Sequence, residues 1–398
     1  MKLLPVEEAR SRMLGAATPL GVEAAPLAEA VGRVLAADVI ASRDQPPFAA
    51  SAMDGWAIRA ADGAGPRRIV GESAAGHGYA GALGPGEAVR IFTGAAVPTG
   101  ADKIVIQEDA RRDGDQVAFD RLDEGDLIRR PAIDFAAGER LLAAGMVLDP
   151  WRLTLAASAG LPAVQVAARP RVALLSTGEE VVPPGETPGP FQIFNSGTTA
   201  LGSLATGWGA AVSPLGIAGD DDDTIAAAVA GAGGDLVVTL GGASVGDHDR
   251  VKPALARLGL RLAVESVALR PGKPTWFGVL EDGRLVLGLP GNPASSMVCA
   301  ELFLRPLLRA MQGAAPEDRI VRARLAAPLA ANGQREHWMR ARLGEDETGG
   351  RTAEAFLDQD SSLIAVFAEA DALLRRPVGA PAAAAGEIVE TLPLDRLA

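Results

Sequence analysis

The chain has 398 residues, enough for two to four domains at about 150 residues each, every one able to bury an ordinary core. Its 38 Lys and Arg against 50 Asp and Glu leave a formal net charge of −12, which gives no overall attraction for nucleic acid or an anionic membrane. With 48% hydrophobic and 22% charged residues the composition is globular, and no run of about 18 apolar residues exists to span a bilayer.

The opening MKLLPVEEARSRML places Glu7, Glu8 and Arg10 where a signal peptide needs its apolar stretch, so a soluble, cytoplasmic protein is expected. Val6, Arg10, Met13 and Leu14 begin one helical pattern. Leu27, Val31, Val34 and Leu35 fall at i, i+4, i+7 and i+8, which predicts a second helix. From Ser42 to about Glu139 the chain is rich in Gly and Pro, with short apolar runs at Ala88–Phe92 and Lys103–Gln107, the pattern of a small β domain. Helical pattern returns at Trp151–Ala159. Residues 1–41 and 140–170 are therefore read as one discontinuous domain interrupted by a β-rich insert, 42–139.

From Arg169 onward short apolar runs alternate with Gly-rich loops and helices. Arg171–Leu175 leads into STGEE, Asp235–Leu240 into GGASVGDHD, and Leu285–Leu289 into PGNPASSMVCAELFL. Three such units predict an α/β domain, 171–315, with a mostly parallel sheet and ligands at the carboxyl ends of its strands. Asn292 then Pro293 reads as an N-cap with proline at the first helical position, in a helix that buries Met297, Cys299 and Leu302. Alternation in Val321–Leu325 and Trp338–Leu343 predicts a small β domain over 316–398.

The loop after Leu240 is the first candidate site. Gly241, Gly242 and Gly246 let backbone N–H groups face an anion, Ser244 adds a hydroxyl, and Asp247, Asp249 and Lys252 follow, a set suited to a phosphate whose charge is shared with Mg²⁺. A tight turn opening a helix explains the same residues equally well. Arg270–Pro274, RPGKP, holds two cations three residues apart on a stiff turn, a pincer for a small oxyanion. Asp54, Asp109, Asp134, Glu179 and Glu180 are carboxylates in turn contexts, and Thr93 stands in a polar turn. Asp220–Asp223 reads as dipole matching at a helix start. With one cysteine and three scattered histidines, no thiolate or histidine metal site and no Ser–His–Asp set is legible. The residues alone indicate an acidic α/β phosphate-binding protein that uses Mg²⁺.

Six motifs in this order, SAMDGWAIR, IFTGAAVPTGADKIVIQED, LLSTGEEV, TLGGASVGDHDRVKPAL, LRPGKPTWFG and LGLPGNPASS, resemble the molybdopterin molybdenumtransferases of the bacterial MoeA type, a family that includes the C-terminal domain of gephyrin. The resemblance implies a multidomain α/β plus β protein: a discontinuous N-terminal domain, a β-rich insert, an α/β molybdopterin-binding domain and a C-terminal β-barrel. It implies a homodimer that inserts molybdate into adenylylated molybdopterin with Mg²⁺ and releases AMP. The molybdopterin adenylyltransferase and apo-molybdoenzymes are the further partners it suggests. Carried over residue by residue, it gives catalytic roles to Asp54, Thr93, Asp134, Glu180 and Asp247, and Mg²⁺ ligation to Asp247 and Asp249. Pterin and adenylate contacts fall to Ser176, Gly178, Glu179, Gly241, Gly242, Ser244, Gly246, Pro290 and Asn292, and molybdate contacts to Arg270, Lys273, Ser295, Arg335 and Ser361. The sequence departs from the family pattern at Trp56, where tyrosine is usual, at 129–135 (RRPAIDF, for an RRxGEDI-like stretch), at Gly197 and at Arg270, where lysine is commoner. A cofactor carrier or a tungstate-inserting enzyme are the alternatives consistent with the same motifs.

Overall fold

The near-continuous apolar runs of the central third make the largest sheet. In the computed structural model, which describes residues 3–242 and 250–395, Ala211–Ala218, Arg171–Thr177, Leu236–Leu240 and Leu285–Leu289 lie side by side and parallel. Trp276–Val279 and Arg261–Val264 complete the sheet with antiparallel pairings. Alternate residues of Arg171–Thr177 enter two different cores. Val172 and Leu174 pack with Leu201, Val298 and Leu307 on one face, and Ala173 and Leu175 with Ile225, Val229, Val251 and Leu255 on the other. A parallel sheet covered on both faces needs that uninterrupted apolarity. The helix Asp222–Gly231 begins at Asp221, whose carboxylate accepts from the Thr224 N–H at 2.8 Å, the dipole matching expected of this acidic run.

The opening helix, Val6–Ala16, forms where the pattern places it, but its buried stripe Val6, Ala9 and Met13 joins the α/β core beside Val264, Phe303 and Leu307. It does not join the 22–41/140–167 core. Leu4 bridges Val267, and the Leu20 N–H donates to the Met311 carbonyl at 2.8 Å. The two-segment domain itself is held by Val22–Pro26 paired antiparallel with Ala163–Ala167 and by Val39–Ile40 paired with Arg140–Leu142, around Leu35, Leu148, Ala156 and Val166. The helix predicted over Leu27–Leu35 is absent. Only one 3₁₀ turn, Leu27–Glu29, follows Pro26, and Gly32 at φ +76° ends any helical course. Val34 and Leu35 are buried as β-bridge residues against Val147 and Val166, while Val31 is exposed. The later helix, Pro150–Ser158, is capped by Asp149 through the Arg152 N–H.

The insert is one mixed six-stranded sheet in the order Lys103–Ile106, Gly55–Ile58, Glu87–Ile91, Arg67–Ser73, Gln116–Phe119, Ala110–Asp113. It is buried on both faces, with Trp56, Val105, Val117 and Phe119 on one and Ala57, Val89, Ile91 and Ile104 on the other. Its chain enters and leaves at one place, where the Ala41 N–H donates to the Glu139 carbonyl at 2.9 Å and the Gly138 N–H to the Ala41 carbonyl at 2.8 Å.

The last domain is a five-stranded closed barrel: Glu336–Glu345, Arg351–Ala355, Val321–Leu325, Ile388–Pro393 and Ala372–Arg376, which pairs back with Glu336–Glu345. A two-residue strand of the α/β domain, Leu269–Arg270, adds to it parallel to Glu336 and His337. Trp338, Leu373 and Leu392 then pack from the barrel wall into the α/β core. The helix after Asn292 runs as Pro293–Cys299, a π turn Ala300–Leu304 and Arg305–Met311, the widened turn accommodating the N–H that Pro306 lacks. Cys299 and Leu302 are buried as expected, and Met297 partly so. Glu301 on the π turn accepts from Arg319 at 2.7 Å, and Arg305 from the same helix donates to Glu317 at 3.0 Å, so the linker into the barrel is pinned by ion pairs with buried members. No helix among the described residues is long and apolar enough to cross a membrane.

Ala132 stands at φ +58°, a left-handed backbone that costs a Cβ-bearing residue about 1 kcal/mol. Ala132→Gly is therefore expected to raise the thermal unfolding midpoint by stabilising the chain about 1 kcal/mol; an unchanged or lower midpoint would contradict this reading of the 129–135 turn.

Candidate active site

Three central strands end together. Gly241, after Leu236–Leu240, has φ +91°, and a Cβ there would lie 2.6 Å from the Thr177 carbonyl oxygen; one on Gly242 would lie 2.3 Å from Val251 Cγ2. A Cβ on Gly291 would meet Gly241 Cα at 3.3 Å. Only glycines let these backbones approach so closely. Pro290, buried between Leu289 and Gly291, turns the third strand into this cluster. Gly178 ends the first strand at φ +129°, its N–H donating to the Ala218 carbonyl at 3.2 Å.

Beside these ends opens a cleft of about 560 Å³ lined by Gly178, Glu179, Val182, Asn195, Thr198 and Ile217. Two of its lining residues, Asn195 and Thr198, belong to a hydroxyl–amide chain that runs back to the buried Ser176. Ser176 Oγ and Thr198 Oγ1 are 2.6 Å apart, Asn195 Nδ2 donates to Ser176 Oγ at 3.0 Å, and Asn195 Oδ1 caps the helix Ser196–Gly207 through the Thr198 N–H at 3.2 Å. A helix N-terminus with Asn195 and Thr198 thus faces one space, and Ser176 braces the pair from behind. Glu179 and Glu180 are both exposed, Glu179 lining the cleft, and the Glu180 carbonyl fixes the return strand by accepting the Ile193 N–H at 2.7 Å. Asn195 and Thr198 were not singled out from the sequence; the signal available was an Asn before a helical run, the usual N-cap pattern.

The cationic turn lies at the seam between α/β domain and barrel. Arg270 and Lys273 are both exposed. Between them Gly272, at φ +118°, leaves no room for a side chain, since a Cβ would sit 2.4 Å from Cys299 Sγ and 2.9 Å from Leu269 Cδ2. Thr275 Oγ1 donates to the Gly272 carbonyl at 2.8 Å and lies 3.0 Å from Cys299 Sγ, so the turn rests on a buried thiol whose pKa burial pushes up to about 12. The thiol is core, as the sequence implied. From the barrel, Arg335 stands two residues before His337, and His337 is the register partner of Arg270. His337 is buried with Nε2 unpartnered, and burial, then the charges of Arg270, Arg340 and Arg335, push its pKa down to about 4. The imidazole is neutral near pH 7, leaving the positive field to the guanidinium and ammonium groups.

Asn292 Nδ2 donates to Ser361 Oγ at 2.9 Å, a direct bridge from the strand-end loop to the barrel. Asn292 occupies the N-cap position, but its side chain makes no cap hydrogen bond. The Ser361 loop is held from beneath by Arg340, 1% exposed, which donates to the Leu363 and Asp360 carbonyls at 3.0 Å each. Arg340 also escaped the sequence reading, because a lone Arg in an alternating strand carries no signal of such a role. Ser295 is buried in the first turn of the following helix. The structure therefore brings Asn292 and Ser361 into contact and sets Arg270 beside the Arg335–His337 segment. Gly241, Gly242, Pro290 and Ser176 belong to the strand ends, beside which the cleft opens. Ser244, Gly246, Asp247 and Asp249 lie outside the described residues, and among the described residues no three of His, Cys, Asp and Glu gather as a metal-ligating group.

Asp54, Thr93 and Asp134 sit on the insert, apart from these elements. Asp54 Oδ1 accepts from both the N–H and the hydroxyl of Thr93, each at 2.8 Å. The backbone bond, then the hydroxyl, with a contribution from the Arg90 charge, hold its carboxyl below the usual carboxylate range. Asp134 is exposed on the turn after Ala132, its N–H donating to the Gln45 carbonyl at 3.0 Å. The insert's two apolar clusters contain only insert residues, so Asp54 reaches out from a self-contained sheet.

Residues 4–160 match the MoeA N-terminal region (domain I and II), 173–310 a probable molybdopterin binding domain, and 322–394 the MoeA C-terminal region (domain IV). The chain is 35% identical over 379 residues to the molybdopterin molybdenumtransferase of Nostoc sp., covering 91% of this chain and 86% of that one. It is 31% identical over 416 residues to molybdopterin molybdenumtransferase 1 of Mycobacterium tuberculosis, covering 97% of each. The crystal structure of the molybdopterin biosynthesis moeA protein of Pyrococcus horikoshii OT3 superposes with a TM-score of 0.83 at 27% identity, over 98% of this chain and all of that one.

Two outcomes follow from the Gly272–Cys299 contact. A thiol reagent at pH 8 should find no reactive cysteine in the native protein and one after unfolding; a fast native reaction would show the thiol exposed. Gly272→Ala should lower stability by about 1–3 kcal/mol in denaturant titration, since the Cβ must displace Sγ or the turn; a neutral effect would mean the turn is not seated on Cys299.

Proposed function

The chain belongs to the MoeA family of molybdopterin molybdenumtransferases, and from that membership we propose that it inserts molybdate into adenylylated molybdopterin, releasing AMP, with Mg²⁺ as cofactor. The family makes it an enzyme of molybdenum cofactor biosynthesis. The observation that supports the finer reading most is the seam between the α/β domain and the barrel, where a turn carrying two exposed cations follows the Leu269–Arg270 pairing and the Asn292–Ser361 bridge joins the same two domains.

That juxtaposition suits the chemistry. The incoming oxyanion carries two negative charges and must approach a dithiolene and a phosphate that are negative as well. Arg270, Lys273 and Arg335 offset that repulsion locally, while distant surface carboxylates are screened within about 8–10 Å and do not decide the affinity. Arg270 adds a planar fork that a lysine would lack, so two oxygens of a tetrahedral anion can be held at once. Backbone N–H groups around Gly241 and Gly242, with Ser176, Thr198 and the helix N-terminus at Ser196, receive the phosphate and pterin side. When bound, Mg²⁺ would supply Lewis-acid stabilisation of the phosphate charge. Asp247 and Asp249 are the residues expected to hold it.

Asp54 remains ionised well into the acid range, and its Thr93 bonds fix its direction. Because its sheet is self-contained, its carboxylate serves a cleft most simply across a homodimer, with the partner subunit's strand ends opposite it. Asp134 and Glu180 are expected to be auxiliary carboxylates of that composite site. The enzyme acts in the cytoplasm, after the adenylyltransferase and before the apo-molybdoenzymes that take up the cofactor.

Purified protein given adenylylated molybdopterin and Mg²⁺ should release AMP faster with molybdate than without it, and the product should activate an apo-molybdoenzyme. Asp54→Asn should stop turnover while leaving molybdopterin binding largely unchanged. Tight pterin binding with no release under molybdate or tungstate would replace the transferase reading with a carrier; full activity of Asp54→Asn would remove Asp54 from catalysis.

A further inference from the structure

We propose that Arg90 is the positioning residue of the Asp54 carboxylate, clamping the three chain segments that surround it and keeping one carboxylate oxygen directed outward for the reaction. This rests on the assignment of Asp54 to turnover made above.

Arg90 is the register partner of Trp56 on the neighbouring strand. Its guanidinium carbon lies 5.4 Å from the Trp56 ring centroid and 4.8 Å from that of Phe92, so the cation is packed against two aromatic rings. One terminal nitrogen donates to the Gly55 carbonyl at 3.0 Å and the other to Gln107 Oε1 at 2.7 Å. Each of these groups borders Asp54. Gly55 follows it in sequence. The Gln107 N–H donates to the Asp54 carbonyl at 3.1 Å, and Phe92 precedes Thr93, both of whose donors bind Asp54 Oδ1. One side chain therefore joins the start of Gly55–Ile58, the end of Glu87–Ile91 and the residue after Lys103–Ile106.

The arrangement has two chemical consequences. Both Thr93 bonds fall on Oδ1, and among the described residues Oδ2 accepts none, so one oxygen is anchored and the other is presented. In addition, no carboxylate among the described residues pairs with Arg90 within 4 Å, which leaves its charge to act on Asp54, where it favours the ionised form. The large indole at Trp56, where the family usually has tyrosine, gives the guanidinium a broader face to rest on. Lysine at position 90 would retain the charge but neither the fork nor the stacking.

The test compares wild type, Arg90→Lys and Arg90→Met in the full-length enzyme. AMP release is followed against pH, and the Asp54 carboxyl is titrated by ¹³C NMR, with Asp54→Asn identifying the resonance. A folded-state carboxyl pKa held below its ordinary value means that activity depending on the carboxylate is kept above that pKa and lost as pH falls through it. Arg90→Met should therefore move both the acid limb and the Asp54 titration to higher pH. It should lower kcat about ten- to a hundredfold with KM little changed, as expected when a reacting group is misdirected while the substrate binds as before. Arg90→Lys should return the acid limb towards wild type while kcat stays low. If Arg90→Met titrates Asp54 and turns over as wild type does, Arg90 is not a positioning residue. Should Arg90→Met fail to fold, Arg90→Lys decides alone: wild-type kcat overturns the proposal, and low kcat with a near-native acid limb supports it. A wild type that releases no AMP, while the NMR shift in Arg90→Met persists, would sink the transferase reading and uphold the clamp.

Discussion

The short parallel pairing of Leu269 and Arg270 with Glu336 and His337 is the constraint on which the rest of the site depends. Two residues leave the α/β sheet's own register and join the barrel, so the turn that follows is held by two domains at once. Gly272 seats the turn against Cys299, and the Trp338, Leu373 and Leu392 side chains bury the barrel wall in the same core. A cationic turn fixed at both ends has little conformational freedom left to lose, the preorganisation that an anion site at these charges would need. The Asn292–Ser361 hydrogen bond also spans the two domains.

Electrostatically the molecule divides its labour by distance. The chain as a whole is acidic, yet the seam gathers Arg270, Lys273 and Arg335, and a buried neutral imidazole at His337 adds no competing charge. The carboxylates singled out in the sequence are divided too: Glu179 lines the cleft with Glu180 next to it in the chain, and Asp54 is carried on the insert. The cationic groups and the Asp54 carboxylate thus stand on different domains.

Much of this organisation could be read from residue patterns, and the exceptions have physical causes. Strand runs such as Leu236–Leu240 and Leu285–Leu289 are legible because burial on both faces demands continuous apolarity, and the glycines after them because close backbone approach admits nothing larger. Leu27–Leu35 misleads because its spacing fits a helix while Gly32 takes a left-handed φ of +76° and Val34 and Leu35 pair as β-bridges; backbone pairing outweighed periodicity. The partner of a correctly placed helix is also invisible in sequence. Val6, Ala9 and Met13 show which face is buried but not that it is buried against Phe303 and Leu307. Arg90 and Arg340 act through contacts made across strands and loops far apart in the chain, so neither spacing nor composition marks them. The interlocking of Asn195, Thr198 and Ser176 likewise exists only once the strand and helix meet.

The location of that first helix bears on how the polypeptide is made. Val6, Ala9 and Met13 find their neighbours in a segment around residues 303–311, roughly 300 positions downstream. At a ribosomal rate of about 5–20 residues per second, this stretch waits about 15–60 s for the surface that will cover it. Throughout that interval the segment lacks those partners, and an isolated stretch of 11 residues holds little helix by itself, while Glu7, Glu8, Arg10 and Arg12 stand among its apolar positions. Those charges keep it wet until the last third of the chain emerges, so the opening segment is among the last parts of the α/β core to be sealed.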